Sequence, residues 1–206
     1  MQHDEHMTSP PGMGSGVMHP HGAHRIGHAL WFSPVYAALV RAVHVGPGER
    51  VLDVGAGTGA LSGRLARAGA AVVCLEPDAQ SLEAARRRVA GLDVEFVEAS
   101  AEHIPLPDAS VDAAVASVTA HHWGDQRAGF EELVRVLRPG GRLVLAEFRP
   151  AGPVLRQLRR IAGSKHVGAP DAVEWTVRLR DAGFSAVEVP RVGPAAAFAL
   201  FLRATR

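Results

Sequence analysis

The sequence predicts an α/β fold: a three-layer, doubly wound sheet of seven strands, mostly parallel, with an antiparallel C-terminal hairpin strand. Three observations lead there. After Gly46-Pro-Gly48, short apolar runs of strand formers alternate with segments of helical spacing. Such alternation winds a parallel sheet with helices on both faces. A turn with glycines at 55, 57 and 59 joins the first of these strands to a helix. Near the C-terminus, strand-like runs at 186–189 and 195–202 are linked by residues 190–194 alone. That link is too short for a helical crossover, so the runs pair as an antiparallel hairpin at the sheet edge.

In chain order, residues 1–24 are rich in Met, His, Pro and Gly without periodicity and read as a disordered arm. Residues 25–206 form the folded domain. Its first segment, 25–46, has apolar residues at helical spacing, with Pro34 suited to a first turn. Strands are expected at 50–54, 71–76, 93–97, 111–116 and 142–148, and helices at 59–68, 78–90, 125–138 and 171–182. Asp78, Asp125 and Asp171 are placed as N-caps, and Gly69, Gly91 and Gly183 as helix ends. Phe130, Leu133, Val134 and Leu137 share one helix face.

Size and charge narrow the function. A chain of 206 residues suits one domain with a substantial core. A formal net charge of +1 argues for neither a nucleic-acid partner nor a membrane surface. The single cysteine, Cys74, lies in an apolar run and reads as a buried thiol. No stretch has the length of a membrane span, and the N-terminus lacks the apolar core of a signal peptide. The expectation is a cytoplasmic protein without metal, with a homodimer left open.

The chemistry concentrates in Val51-Leu-Asp-Val-Gly-Ala-Gly-Thr-Gly-Ala-Leu-Ser62, where a buried strand passes through a glycine turn into a helix. Asp53 lies within that strand, and Glu76 ends the next one. Further along stand Ser100-Ala-Glu-His-Ile-Pro-Leu-Pro-Asp108, Ser117-Val-Thr-Ala-His-His-Trp123 and Glu132-Leu-Val-Arg-Val-Leu-Arg-Pro-Gly-Gly141. Taken together, these stretches resemble the class I, Rossmann-like, S-adenosylmethionine (SAM)-dependent methyltransferases. The likeness spans roughly residues 35–205 and is nearest to the small-molecule branch that includes ubiquinone and menaquinone biosynthesis enzymes.

The resemblance implies SAM as cofactor and methyl transfer to a small-molecule acceptor by in-line displacement. Gly55, Ala56, Gly57 and Gly59 would approach its methionine and ribose closely. Asp53 would orient that turn or meet the methionine ammonium. Glu76, followed by Pro77, would accept hydrogen bonds from the ribose hydroxyls. Ser100, Ala101 and Glu102 would border the adenine, although Ser100 replaces the carboxylate the family commonly has there. Ser117 would border the methionine end. His121 and His122 stand where a general base would act if the acceptor keeps a proton, or their ring nitrogens are satisfied by backbone. Trp123 is a pocket wall or core. Substrate recognition in the family falls to the N-terminal helix and the segment after the fifth strand. Here these hold His28, Trp31, Phe32, Tyr36 and Arg149, the last within a basic cluster with Arg156, Arg159, Arg160 and Lys165.

Two other classes stay open on the sequence. Six of the eleven histidines, His3, His6, His19, His21, His24 and His28, lie in the first 28 residues. A non-catalytic SAM-binding protein with a metal-binding arm would use them, since neutral imidazoles ligate zinc, copper and nickel. A nicotinamide-dependent oxidoreductase would use the glycine turn, but its fingerprint is G-x-G-x-x-G rather than the G-x-G-x-G found here.

Overall fold

The central sheet has seven strands in the order β3-β2-β1-β4-β5-β7-β6. The computed structural model describes residues 33–148, 170–190, 192–193, 195 and 199–206. In chain order the elements are α1 (Ser33–Val43), β1 (Arg50–Val54), α2 (Ser62–Arg67), β2 (Ala71–Leu75), α3 (Ala79–Arg88), β3 (Val94–Val97) and β4 (Val111–Ser117). A single 3₁₀ turn at Ala120–His122 precedes α4 (Gln126–Val136), β5 (Leu137–Phe148), α5 (Ala172–Asp181), β6 (Ala186–Glu188) and β7 (Ala199–Thr205).

Five strands run parallel: β1 pairs with β2 and β4, β2 with β3, and β4 with β5. β7 alone runs the other way: it lies between β5 and the edge strand β6 and pairs antiparallel with both. The expected hairpin is there, but its second strand covers 199–205 rather than 195–202. The register pairs Ala186 with Thr205 and Glu188 with Arg203. The fifth strand also differs from expectation: it starts at Leu137, directly after α4, and takes in Arg138-Pro-Gly-Gly141. A register shift between Val111 and Ala113 accommodates the extra residues, as a bulge does.

Side chains along a strand alternate between faces, and the core divides accordingly. Val51, Val72, Val115 and Val144 face α1 and α2, packing with Leu39, Leu61 and Leu65. Cys74 points the same way, onto Leu82 and Ala85 of α3. Leu52, Val73, Ala114 and Leu145 face the opposite layer, with Phe130 and Leu133 of α4 and Trp175 and Leu179 of α5. Three layers result. The Asp caps form as expected: Asp78 accepts from Ser81 N–H, Asp125 from Ala128 N–H, and Asp171 completes a capping box with Glu174.

Strand order reverses between β1 and β4, since β1 leads outward to β2 and β3 while β4 leads to β5. Ligands in open α/β sheets bind at the carboxyl ends of the strands at such a switch point. Gly55, Glu76 and Val118 directly follow the ends of β1, β2 and β4.

Candidate cofactor and active site

A cleft of about 500 Å³ opens at that switch point, within the ordinary range for small-ligand sites. Gly55, Glu76 and Pro77 line it, with Ser100, Ala101 and Glu102 on one side and Val118, Thr119, His122, Trp123 and Gly124 on the other. Four segments distant in sequence therefore meet around one space.

Each glycine of the turn has its own reason. All three have positive φ, at 65° for Gly55, 55° for Gly57 and 73° for Gly59, where a β-carbon is strained. A Cβ on Gly55 would stand 2.1 Å from Thr119 Oγ1, so this glycine admits the turn after β4. A Cβ on Gly59 would stand 2.9 Å from Ala85 Cβ, so this one admits α3. Only Gly57 meets open space. Close approach to a ligand thus accounts for one of the three at most. The turn's N–H groups are also committed: Gly55 and Ala56 donate to Leu75 O at 2.8 and 3.1 Å, and Gly59 to Ala56 O at 3.0 Å.

Asp53 is 1% exposed and lies beneath the turn, accepting from Ser62 Oγ at 2.6 Å. Burial pushes its carboxyl up to about 7 against the opposing pull of the Ser62 hydrogen bonds, and Glu76's charge adds to the rise. Burial likewise pushes the Cys74 thiol up to about 12, which leaves it without thiolate chemistry. Glu76 spans the turn: Oε2 accepts from Gly57 N–H at 2.8 Å and Oε1 from Asp78 N–H at 3.1 Å. A carboxylate offers about four acceptor positions, so this one keeps capacity for a ligand's hydroxyls.

The side of the cleft that carries Ser100 and Ala101 is held from behind. Arg135 donates to Ile104 O, Leu106 O and Asp108 at 2.7–2.8 Å, and to Glu132. Glu132 in turn accepts from Ile104 N–H at 2.9 Å. The two motifs at 100–108 and 132–141 are therefore one clamp, with α4 fixing the loop that carries Ser100 and Ala101. Glu102 lines the cleft and reaches to its other side, accepting from Gly124 N–H at 2.7 Å and Asp125 N–H at 3.3 Å. Burial works to raise its carboxyl, but these N–H groups and Ser100 outweigh it and hold it low.

The end of β4 is strained and polar. Val118 has φ 54°, costly for a β-branched residue, and its N–H donates to Ala146 O at 2.7 Å. Ser117 Oγ is buried with no hydrogen-bond partner among the described residues. Trp123 both lines the cleft and packs on the core, its ring edge-on to Phe130 at 5.1 Å. A Cβ on Gly129 would stand 2.6 Å from that indole. His121 Nδ1 lies 2.7 Å from Glu147 Oε2, and its ring is 3.9 Å from that of His122. Glu147, 2% exposed at the end of β5, also accepts from the N–H groups of Thr119 and Ala120 at 3.1 and 2.8 Å through Oε1. Sequence reasoning missed Glu147, because a lone acidic residue in an apolar strand shows nothing of what lies beside it.

Of the expected site residues, the cleft gathers Gly55, Glu76, Pro77, Ser100, Ala101, Glu102 and His122. Tyr36 packs partly buried against the α1–α2 side of the core. Burial raises its hydroxyl's pKa, and the charge of Asp53 raises it further. His28, Trp31, Phe32 and Arg149, with the rest of the basic cluster, lie outside the described residues. No group of metal ligands occurs among the described residues.

These residues fit SAM. An acidic side chain stands at the end of β2, one glycine of the turn that it binds has open space beside it, and a hydroxyl without a partner among the described residues lies at the end of β4. Residues 52–145 match the model of the methyltransferase domain family. A demethylmenaquinone methyltransferase of Clavibacter sepedonicus is 40% identical over 175 residues, covering 73% of this chain and 71% of that protein. The chain belongs to the class I SAM-dependent methyltransferases. It is therefore an enzyme that takes SAM as cofactor and methyl donor. A second relative of the same name, from Mycobacterium sp. (strain KMS), is 43% identical over 107 residues, covering 52% of this methyltransferase and 45% of that protein. Other curated relatives are spanned over only about half their length, 54% for one from Mycobacterium tuberculosis. The fold itself matches the crystal structure of the YcgJ protein of Bacillus subtilis, with TM-score 0.69 at 19% identity over 87% of this chain and 98% of that one.

Proposed function

We propose that this methyltransferase acts on a small, ring-bearing acceptor of the quinol type. The supporting observation is the likeness to demethylmenaquinone methyltransferases over most of the chain. The site's chemistry agrees. Trp123 gives the cleft an aromatic wall beside His122, suited to a flat ring. In this reading Gly57 and Glu76 hold the methionine and ribose, the backbone of Ala101 meets the adenine, and Ser117 borders the sulfur. Asp53 holds the turn from below, and the His121–His122 pair serves proton transfer. The described part of the N-terminal segment, Ser33–Val43, packs in the core and supports the domain rather than the cleft.

SAM brings an activated methyl group, so the protein's task is largely placement, which supplies roughly 7–11 kcal/mol of a barrier when both reactants are well oriented. The enzyme would act in the cytoplasm; no described helix is long and apolar enough to cross a membrane. The near-neutral charge supports a small acceptor over nucleic acid.

The test is turnover of the full chain with SAM and a demethylated naphthoquinol kept reduced. The expected products are S-adenosylhomocysteine and an acceptor heavier by one CH₂. S-adenosylhomocysteine formed no faster with the acceptor than without it would remove this substrate class.

A further inference from the structure

We propose that a second cavity, between the end of α1 and the edge of the sheet, binds a small amphiphilic carboxylate, an acid group on an apolar body. Such a site is separate from the cofactor cleft and from the methyl acceptor.

The cavity holds about 710 Å³, within the ordinary range for small-ligand sites. Residues of α1 and of the turn after it form one wall, and Pro190 and Val192, beyond the end of β6, form another. Val40, Val45 and Val192 pack against the α1–α2 half of the core yet are only partly buried. Their uncovered sides give the cavity apolar surface, which a ligand's body would remove from water.

Charge selects the head group. Arg41 and Arg203 both line the cavity, and no acidic side chain does among the described residues. Arg41 is exposed and makes no hydrogen bond or ion pair with any described residue. Arg203 follows Phe201 by two residues along β7, and Phe201 packs on the α1 side of the sheet. The pleat therefore turns Arg203 toward α1 as well. Its guanidinium lies 3.8 Å from Glu188 Oε1, beyond hydrogen-bond reach, and so keeps its donors for another acceptor. A guanidinium presents its N–H groups as a planar fork that matches a carboxylate. Two such forks beside apolar walls favour an anionic amphiphile over a neutral or cationic one.

The wall is also fixed in advance. Arg142 donates to the carbonyls of Val43 and His44 and to Glu49, so the end of α1 is tied to β5. A site already in shape loses less on binding. None of the described residues that line this cavity lines the cofactor cleft. The cleft opens at the carboxyl ends of β1, β2 and β4, whereas α1 ends on the chain that enters β1 at its amino end. Occupancy of one is therefore no steric bar to the other. A ligand seated here bridges α1 and the chain beyond β6, and stabilises the fold by mass action.

Decanoate below its micellar concentration is the probe, with decanol and decylammonium as neutral and cationic counterparts. Calorimetry on the full chain is expected to show one saturable decanoate site, with both counterparts at least about tenfold weaker. Arg41→Glu reverses a charge at an exposed helix position. It is expected to weaken decanoate at least about tenfold, with the melting temperature of the free protein held. Arg203→Gln should weaken decanoate in the same direction. Saturating decanoate should raise the melting temperature of the wild type, and SAM should bind the decanoate-loaded chain with unchanged affinity.

Absence of saturable binding, equal binding of all three probes, or decanoate binding indifferent to both arginine variants overturns the proposal. So does displacement of decanoate by SAM, which would put the probe in the cofactor cleft. Two further results overturn it by naming another occupant. Binding to phosphatidylglycerol vesicles without binding of free decanoate would assign the cavity to a lipid surface. A dimer seen by sedimentation that Arg41→Glu dissociates would assign it to a second copy of the chain.

Discussion

The carboxylate of Glu76 accepts from the N–H of Gly57 at 2.8 Å, joining the end of β2 to the one glycine of the turn that faces open space. Glu76 therefore shapes the turn, and in the proposed reading its remaining lone pairs meet the ribose. Hydrogen bonds to a charged acceptor contribute roughly 1.5–3 kcal/mol each. Glu76→Ala is expected to raise the SAM dissociation constant at least about tenfold, measured by calorimetry. An unchanged affinity would remove Glu76 from the site.

The three glycines should separate when each is changed to alanine. At 55 the new Cβ would collide with Thr119, and at 59 with the Cβ and backbone of Ala85, at 2.9 and 3.2 Å. Both variants are expected to lose stability beyond the cost of the positive φ, seen as lower denaturation midpoints. At 57 nothing stands within 4 Å. Gly57→Ala should pay only the left-handed cost, about 1–2 kcal/mol, yet bind SAM poorly if, as proposed, Gly57 lies against the methionine and ribose. Equal stability losses at all three positions would contradict this division.

Arg135 is expected to matter for the cofactor without touching it. Its bonds to Ile104 O, Leu106 O and Asp108 hold the loop that begins with Ser100 and Ala101. Arg135→Ala should lower the melting temperature, by roughly 2–4 °C for each kcal/mol lost. It should also raise KM for SAM more than it lowers kcat. A variant with lower stability and an unaltered KM would make the clamp purely structural.

Asp53 gives a pH dependence with a definite sign. Burial carries its pKa from 3.8 to about 7 in the fold, so across that interval the folded chain binds a proton that the unfolded chain has released. The resulting stabilisation is fully present below pH 3.8 and is lost as pH rises through about 7. Denaturation midpoints followed across this window should fall with pH in the wild type, and less steeply in Asp53→Asn. Equal slopes for the two proteins would exclude Asp53 as the titrating group.

Much of this site could be read from residue order alone. Asp53 lies inside a strand and the glycines and Glu76 follow strand ends, all announced by apolar runs, and the Asp caps and terminal hairpin follow from local chemistry. What escaped were relations across the sheet. That Gly55 serves Thr119 and Gly59 serves Ala85 depends on packing between elements far apart in sequence. Glu147 escaped for the same reason, since its partners lie 26 to 28 residues away on the neighbouring strand's exit. The early start of β5 at Leu137 was hidden by Pro139-Gly-Gly141, which locally signals a break and is held in the sheet by a register shift.

Calorimetric titration of the full chain with SAM, and in parallel with NAD, reaches the cofactor cradle most directly. The expected result is saturable binding of SAM to one site, weakened in Glu76→Ala, with no heat from NAD. Binding of NAD without SAM, or SAM binding indifferent to Glu76, would contradict the cradle described here.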